Sequence, residues 1–249
     1  MAFAVEALEK AFNGFKAVDG VSFTVAAGEM VALIGPNGAG KTTTFNMANG
    51  QLAPDRGRVL IGGRDVTGRP PRELWRLGVG RTFQITATFA SMTVAENIQV
   101  ALLSRDNAFG VLASVAGRYD DEISGLLSEV GMDAAGSQQC GALSYGDLKR
   151  VELVMALANA PRLLLMDEPT AGMAPRERSQ LMDLVTRTAR ERHTAVLFTE
   201  HDMNVVFGHA HRILVMSRGK IVAEGAPEEI RANRIVQEVY LGQTVPVAG

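Results

Sequence analysis

The chain has 249 residues, of which 47% are hydrophobic, and its 25 Lys and Arg against 27 Asp and Glu give a formal net charge of −2. This length can form one large domain or a core with a subdomain. The near-neutral charge disfavours nucleic acid as the main partner, because dedicated nucleic-acid binders are usually basic. No apolar run reaches the ~18 residues typical of a membrane span, and we expect a globular protein.

The first third of the chain predicts short strands and helices of an α/β core. Residues 21–25 alternate apolar and polar side chains, which is typical of a strand. The continuous apolar run 30–34 indicates a strand that is covered on both faces. Further along, the patterns predict a helix over 42–49, a strand over 58–61 and a helix from Pro70 to Leu77.

From about residue 86 to residue 160 the pattern becomes mainly helical. Two helical segments are predicted over 95–104 and 119–130, and a third over 144–158. The third has Leu148, Val151 and Val154 at helical spacing. This region therefore reads as a helical insertion in the α/β core.

After residue 160 the alternation of strands and helices returns. Buried strands are predicted over 163–166 and 194–199, with a helix beginning at Pro175 between them. Residues 213–216 and 220–223 then flank a predicted hairpin turn, and Pro227 begins the terminal helices. Alternating strands and helices favour a mostly parallel sheet, so the predicted fold class is α/β.

Residues 35–42, Gly-Pro-Asn-Gly-Ala-Gly-Lys-Thr, fit the phosphate-binding pattern G-x-x-x-x-G-K-[ST]. Glycines let such a loop curl, so that its N–H groups point at phosphate oxygens next to the positive end of the following helix. Lys41 can reach the β and γ phosphates, and Thr42 can place its hydroxyl on Mg²⁺. A glycine-rich turn without a ligand is disfavoured by the strand before it and the helix after it. The candidate nucleotide-binding residues here are Gly35, Pro36, Asn37, Gly38, Ala39, Gly40, Lys41, Thr42 and Thr43.

An acidic pair, Asp167 and Glu168, closes the apolar run 163–166. In P-loop proteins an aspartate in this position holds Mg²⁺, usually through water. Glu168 can face the γ-phosphate and activate a water molecule as a general base. Such a pair can also cap a helix or lie solvated at a turn, but the P-loop upstream favours one shared active site.

Residues 143–147, Leu-Ser-Tyr-Gly-Asp, lie at the start of a predicted helix. Ser144 and Asp147 have the spacing of a capping box, with Asp in place of Glu or Gln. The string also resembles the signature motif, usually Leu-Ser-Gly-Gly-Gln, of ATP-binding-cassette (ABC) ATPases. Both interpretations can hold together, because a capped helix start with free N–H groups can bind phosphate.

Further landmarks of this family are present in the expected order. Phe12 resembles the aromatic residue that stacks on adenine, and Gln84 lies where the glutamine of the Q-loop belongs. Residues 167–170 resemble the family's second carboxylate motif, and His201 resembles the switch histidine that contacts the γ-phosphate. A single histidine after a strand is more often structural, but its position here favours the switch. The resemblance implies Glu168, His201 and Gln84 as catalytic residues, and Thr42, Gln84 and Asp167 around Mg²⁺.

The resemblance implies one ABC ATPase domain over 1–249. Its P-loop NTPase (RecA-like) core with an antiparallel β-subdomain would comprise 1–85 and 161–249, with an α-helical signature subdomain inserted over 86–160. Such domains work as head-to-tail pairs that sandwich two ATP molecules. Ser144, Tyr145 and Gly146 would then contact the nucleotide of a second ABC ATPase subunit, identical or different.

Several segments resemble one subgroup, the ATP-binding subunits of branched-chain amino acid uptake systems; they are 66–68, 80–84, 92–97, 143–146, 200–203 and 239–242. This implies two transmembrane permease subunits, an extracytoplasmic solute-binding protein and a peripheral position on the cytoplasmic face of the inner membrane. Uptake of urea, amides or another small solute, export of lipopolysaccharide or lipid, and a non-transport nucleotide-dependent regulator stay open. Asp147 replaces the last glutamine of the signature, and Ala174 stands where the family usually has an aspartate.

Overall fold

The structure is a computed structural model that describes residues 2–82, 88–108 and 117–241, with backbone alone over 239–241. The strands are β1 (Phe3–Phe12), β2 (Phe15–Val25), β3 (Met30–Ile34), β4 (Arg56–Ile61), β5 (Arg64–Asp65), β6 (Val79–Thr82), β7 (Leu163–Asp167), β8 (Ala195–Thr199), β9 (Arg212–Ser217) and β10 (Lys220–Gly225). The helices are α1 (Lys41–Ala48), α2 (Pro71–Arg76), α3 (Val94–Arg105), α4 (Asp120–Glu129), α5 (Tyr145–Leu157), α6 (Pro175–Arg192), α7 (Met203–His209), α8 (Pro227–Ala232) and α9 (Arg234–Leu241).

The core is a six-stranded sheet in the order β10-β9-β3-β8-β7-β6, in which only the edge strand β10 runs antiparallel to its neighbour. β3 and β8 are buried along their whole length. Continuous apolar runs suit this position, because helices or a second layer cover both faces of the sheet. The predicted mostly parallel core is confirmed, and the strand over 30–34 has the predicted bounds.

A second, antiparallel sheet in the order β2-β1-β4-β5 packs on one face of the core sheet. The antiparallel β-subdomain implied by the family resemblance is therefore confirmed. β1 did not emerge from the sequence, because its pairing register shifts between Val5 and Leu8 and Ala7 takes a φ of 47°. This bulge breaks the period-two alternation by which a strand is recognised.

Two apolar clusters lie on opposite faces of the core sheet. Along β3, Met30, Ala32 and Ile34 contribute to the cluster shared with the helices. Val31 and Leu33 contribute to the cluster between the two sheets. This alternation is the period of two expected of a strand, and it holds the carboxyl end of β3, where the P-loop begins, between two packed layers.

The predicted helical insertion contains α3, α4 and α5, each within two residues of its predicted bounds. α3 begins earlier than predicted because Thr93 forms a capping box. The Thr93 hydroxyl accepts from the Glu96 N–H at 3.2 Å, and a Glu96 carboxylate oxygen accepts from the Thr93 N–H at 2.7 Å. Among the described residues, no helix is both long and apolar enough to cross a membrane.

The edge strand β6 did not emerge from the sequence either, since its four residues include Gly80, Arg81 and Thr82. Pairing with β7 makes it a strand. At Gly80 a Cβ atom would lie 2.8 Å from the carbonyl oxygen of Ala156, so glycine permits the close approach of α5. The insertion is thereby packed directly against the core sheet.

Lys149 and Glu152 form a buried ion pair on α5, with an Nζ–Oε2 distance of 2.9 Å and side chains 3% and 4% exposed. The Lys149 ammonium also lies 5.6 Å from the centre of the Tyr145 ring. Removing one partner of a buried ion pair is strongly destabilising, because the remaining charge loses a nearby opposite charge in the protein interior. We therefore expect loss of one partner alone to destabilise the fold more than replacement of both partners by apolar residues.

We expect Lys149→Met to lower the free energy of unfolding by ~3–5 kcal/mol, because the buried Glu152 carboxylate loses the ammonium 2.9 Å away from it. Equilibrium unfolding in urea measures this. The double variant Lys149→Met with Glu152→Leu should recover most of the loss. Lys16→Met, which removes an exposed lysine paired with Asp19, is the control and should leave stability unchanged. Equal stability of Lys149→Met and Lys16→Met would contradict this account.

Candidate nucleotide-binding site

The P-loop curls between β3 and α1 with backbone angles that favour glycine. Gly40, immediately before α1, has a φ of 101°, and a Cβ atom there would lie 2.4 Å from the carbonyl oxygen of Ala17. The Lys41 ammonium turns back into the loop and donates to the carbonyl oxygens of Gly35 at 2.6 Å and Pro36 at 3.1 Å. The loop thus surrounds the lysine that the sequence predicts to bind phosphate.

Lys41 faces the acidic pair across the site. Burial lowers the pKa of the Lys41 ammonium, while the charges of Glu168 and Asp167 act in the opposite direction. Both carboxylates therefore lie within electrostatic reach of the P-loop amine. Two segments far apart in sequence are brought to one place because β3 and β7 both pair with β8 and both run parallel to it.

Thr199, the last residue of β8, holds both members of the acidic pair. Its hydroxyl donates to Oδ1 of Asp167 at 2.6 Å. The Glu168 N–H donates to both the hydroxyl and the carbonyl oxygen of Thr199, each at 3.1 Å. Thr199 was not among the predicted site residues, although a threonine at the end of a buried apolar run is a polar group at the carboxyl edge of the predicted sheet.

Glu168 also contacts the predicted switch histidine. Nε2 of His201 lies 2.9 Å from Oε1 of Glu168. The Glu168 side chain is 26% exposed and the His201 side chain 51% exposed, so this contact lines an open surface. Glu168 has a φ of 48°, in the left-handed region that non-glycine residues rarely adopt. Strain of this kind concentrates at functional sites.

The backbone beyond His201 is fixed by the cap of α7. Oδ1 of Asp202 accepts from the Asn204 N–H at 2.9 Å, and Oδ2 accepts from the Arg178 guanidinium at 2.6 Å. Burial alone would raise the pKa of the Asp202 carboxyl, but these hydrogen bonds hold it below its ordinary value. The switch segment is therefore anchored to α6.

The predicted signature segment forms the capped start of α5. The Ser144 hydroxyl accepts from the Asp147 N–H at 3.2 Å and donates to Oδ2 of Asp147 at 2.8 Å. Ser144 is thus confirmed as the N-cap of α5, but the reciprocal bond of a capping box is not, because the Asp147 carboxylate accepts from the Ser144 hydroxyl instead of its N–H. The carboxylate that replaces the family's glutamine is turned onto its own helix. The Tyr145 hydroxyl donates to the carbonyl oxygen of Ala171 at 3.2 Å, so the signature segment contacts the loop that follows the acidic pair.

The remaining predicted site residues are placed as follows. Phe12 is the last residue of β1 and is 46% exposed. It pairs with Phe15, which is 67% exposed and was not among the predicted site residues. The Lys10 ammonium lies 5.9 Å from the centre of the Phe12 ring. Both exposed rings belong to one hairpin, so they form an apolar face on which a flat base could stack. Gln84 lies outside the described residues.

The donor set suits Mg²⁺ that is held together with a nucleotide. Thr42 on α1 offers a hydroxyl, and the Asp167 carboxylate has one oxygen bonded to Thr199. Over the described ranges no group of three or more His, Cys, Asp or Glu could hold a metal by itself. Mg²⁺ commonly binds through one or two carboxylates plus substrate phosphates, and the Asp167 carboxylate and the Thr42 hydroxyl are donors of that kind.

The chain is similar to known proteins over nearly its whole length. A family model described as ABC transporter matches residues 18–171, and one described as branched-chain amino acid ATP-binding cassette transporter matches residues 220–245. The high-affinity branched-chain amino acid transport ATP-binding protein LivG of Salmonella typhimurium is 38% identical over 248 residues, 96% of this chain and 97% of that protein. The lipopolysaccharide export system ATP-binding protein LptB of Acidithiobacillus ferridurans is 38% identical over 237 residues, 95% of each chain.

Solved structures give the same picture. The ADP conformation of MJ1267, an ATP-binding cassette of an ABC transporter, has a TM-score of 0.86 and 31% identity over 97% of this chain and 99% of that one. A nucleotide-free ATP-binding cassette from an ABC transporter has a TM-score of 0.83 and 32% identity, with the same coverage. The α/β fold with its P-loop core is thus that of ABC cassettes.

We expect Gly40→Ala to weaken MgATP binding at least about tenfold, or ~1.4 kcal/mol, because the new Cβ would overlap the Ala17 carbonyl and displace the loop. Isothermal titration calorimetry measures this. Gly63→Ala is the matched control: Gly63, in the turn between β4 and β5, also has a positive φ, 79°, but among the described residues no atom beyond its chain neighbours lies within 4 Å of its Cβ position. Equal dissociation constants in the two variants would contradict the steric argument.

Proposed function

Since the chain belongs to the ABC transporter family of ATP-binding subunits, we propose that it hydrolyses ATP to drive uptake of branched-chain amino acids through separate membrane subunits. The observation that carries the catalytic part is the meeting of the P-loop lysine, the acidic pair and His201 at one edge of the parallel sheet. The cargo is supported by the LivG similarity and by the family match over 220–245.

Each group has a distinct chemical task in this proposal. Lys41 and the N–H groups of the P-loop bind the β and γ phosphates. Glu168 accepts the proton of the water whose oxygen attacks the γ-phosphorus, while the bond from that phosphorus to the bridging oxygen breaks and ADP leaves. His201, held against Glu168, contacts the γ-phosphate. Thr42 and Asp167 would hold Mg²⁺, which neutralises charge on the phosphates, and Gln84 would complete this side of the site.

A second subunit would complete the nucleotide site. The first N–H groups of a helix have no acceptor within it, so those of Tyr145 and Gly146 at the start of α5 are available to a phosphate. Ser144 adds a hydroxyl at the same place. We propose that these three residues face the P-loop of the partner ATPase, identical or different, within one cassette domain over 1–249 whose helical subdomain spans 86–160.

An apolar groove offers a docking place for the membrane subunits. This cavity of about 470 Å³ lies among α2, β6, α3 and α5, with Leu74, Trp75, Val100 and Met155 in its wall. Arg81, also in the wall, directly precedes the segment that contains Gln84. A cytoplasmic segment of a permease seated here would contact Arg81, which precedes the proposed catalytic glutamine by three positions in the chain. The subunit would then sit peripherally on the cytoplasmic face of the inner membrane.

We expect Glu168→Gln to lower kcat by ~10²–10⁴-fold, because the amide cannot accept the proton of the attacking water. ATP binding should persist, and an ATP-bound dimer should accumulate. Steady-state phosphate release and light scattering after size exclusion measure the two effects. Glu191→Gln, an exposed change on α6, is the control and should hydrolyse ATP normally. Unchanged hydrolysis in Glu168→Gln would overturn the general-base assignment.

The cargo is tested in a strain that lacks the gene for this chain. Uptake of radiolabelled leucine, isoleucine and valine should be lost and should return with the wild-type chain but not with Glu168→Gln. Tagged protein purified from membranes should bring two permease subunits and a second ATPase, and the associated solute-binding protein should carry a branched-chain amino acid. Recovery of lipopolysaccharide-export subunits, which the LptB similarity makes the rival outcome, would overturn the cargo but not the ATPase.

A further inference from the structure

Glu200 is a buried carboxylate to which the proposed mechanism gives no role. It follows β8, directly precedes His201 in the chain, and is only 4% exposed. A buried carboxylate is unfavourable unless hydrogen bonds replace the water it has lost. The hydrogen bonds of Glu200 therefore show which parts of the protein stabilise its buried carboxylate.

The two carboxylate oxygens of Glu200 bind two different loops. Oε1 accepts from the Thr170 N–H at 2.9 Å and from the Thr170 hydroxyl at 2.5 Å. Oε2 accepts from the backbone N–H of His201 at 3.0 Å. Thr170, which is 1% exposed, lies two positions after Glu168, so one side chain joins the loop of the acidic pair to the loop of the switch histidine.

These two loops are the ones whose side chains meet in the site. Nε2 of His201 lies 2.9 Å from Oε1 of Glu168, and the backbone on either side of this contact is tied to Glu200. A glutamine could not replace it, because its amide has one oxygen and would turn an NH₂ group toward an N–H donor. The need for an acceptor on both sides accounts for a carboxylate at this buried position.

We propose that Glu200 is a positioning residue for ATP hydrolysis, whose buried carboxylate sets the placement of His201 against Glu168. The proposal rests on the proposed catalytic function of those two residues. Both oxygens of the Glu200 carboxylate are bonded to protein donors, so in this proposal Glu200 acts on the nucleotide only through its neighbours. Its loss should therefore slow hydrolysis through His201 while nucleotide binding at the P-loop persists.

The first test is Glu200→Gln in the full chain. We expect kcat to fall by ~10–100-fold, the cost of a catalytic group displaced by about 1 Å, with KM for ATP and nucleotide affinity unchanged. Glu96→Gln is the matched control, since Glu96 also accepts from the N–H and hydroxyl of one threonine, Thr93, but in the helical insertion. A normal kcat in Glu200→Gln, or an equal loss in Glu96→Gln, would overturn the proposal.

A second test separates positioning from general structural damage. Single-turnover hydrolysis of radiolabelled ATP is measured for His201→Ala, with and without Glu200→Gln. If Glu200 acts through His201, the second change should cost nothing further, whereas independent effects would multiply and overturn the proposal. Wild-type hydrolysis in His201→Ala would instead overturn the catalytic assignment of His201.

Nuclear magnetic resonance of the histidine rings gives a readout besides activity. The chain has four histidines, so each ring signal can be assigned by substitution. In Glu200→Gln we expect the His201 signal to shift while those of His193, His209 and His211 keep their positions. An unshifted His201 signal would contradict the proposal, whatever the hydrolysis rate.

Discussion

The parallel pairing of β7 with β8 is the constraint on which the candidate site depends. It places Asp167 beside Thr199, at the ends of neighbouring strands. Because the carboxyl ends of parallel strands meet at one edge, the residues that follow them, Glu168 on one side and His201 on the other, come within hydrogen-bond distance. β3 on the far side of β8 delivers the P-loop to the same edge.

Backbone N–H groups and threonine hydroxyls form the hydrogen bonds that fix the acidic residues at this edge. Thr199 binds the acidic pair, and Glu200 binds the loops on either side of it. The buried Lys41 interacts electrostatically with both carboxylates, and Arg81 interacts with Asp167 as well. Groups that are fixed before the substrate arrives need little reorganisation during the reaction, which is the physical basis of electrostatic catalysis.

The site could be predicted from the sequence where a chemical pattern is local. The P-loop, the acidic pair and the capped start of α5 each need residues at fixed short spacing, so they can be recognised without a structure. The core strands could be predicted because burial on both faces requires continuous apolar runs. β1 could not, since its bulge at Ala7 interrupts the alternation, and β6 is a strand only because it pairs with β7.

The position of Glu200 could not be predicted, because a glutamate after a strand usually lies in solvent, and a partner 30 residues away buries it. The backbone conformation of Glu168 could not be predicted from the sequence either. Its left-handed backbone conformation costs on the order of 1–3 kcal/mol, which glycine would avoid and asparagine would reduce. Folding stability and the proposed general-base role therefore favour different residues at position 168, and a chain optimised for thermal resistance alone would drift away from glutamate there.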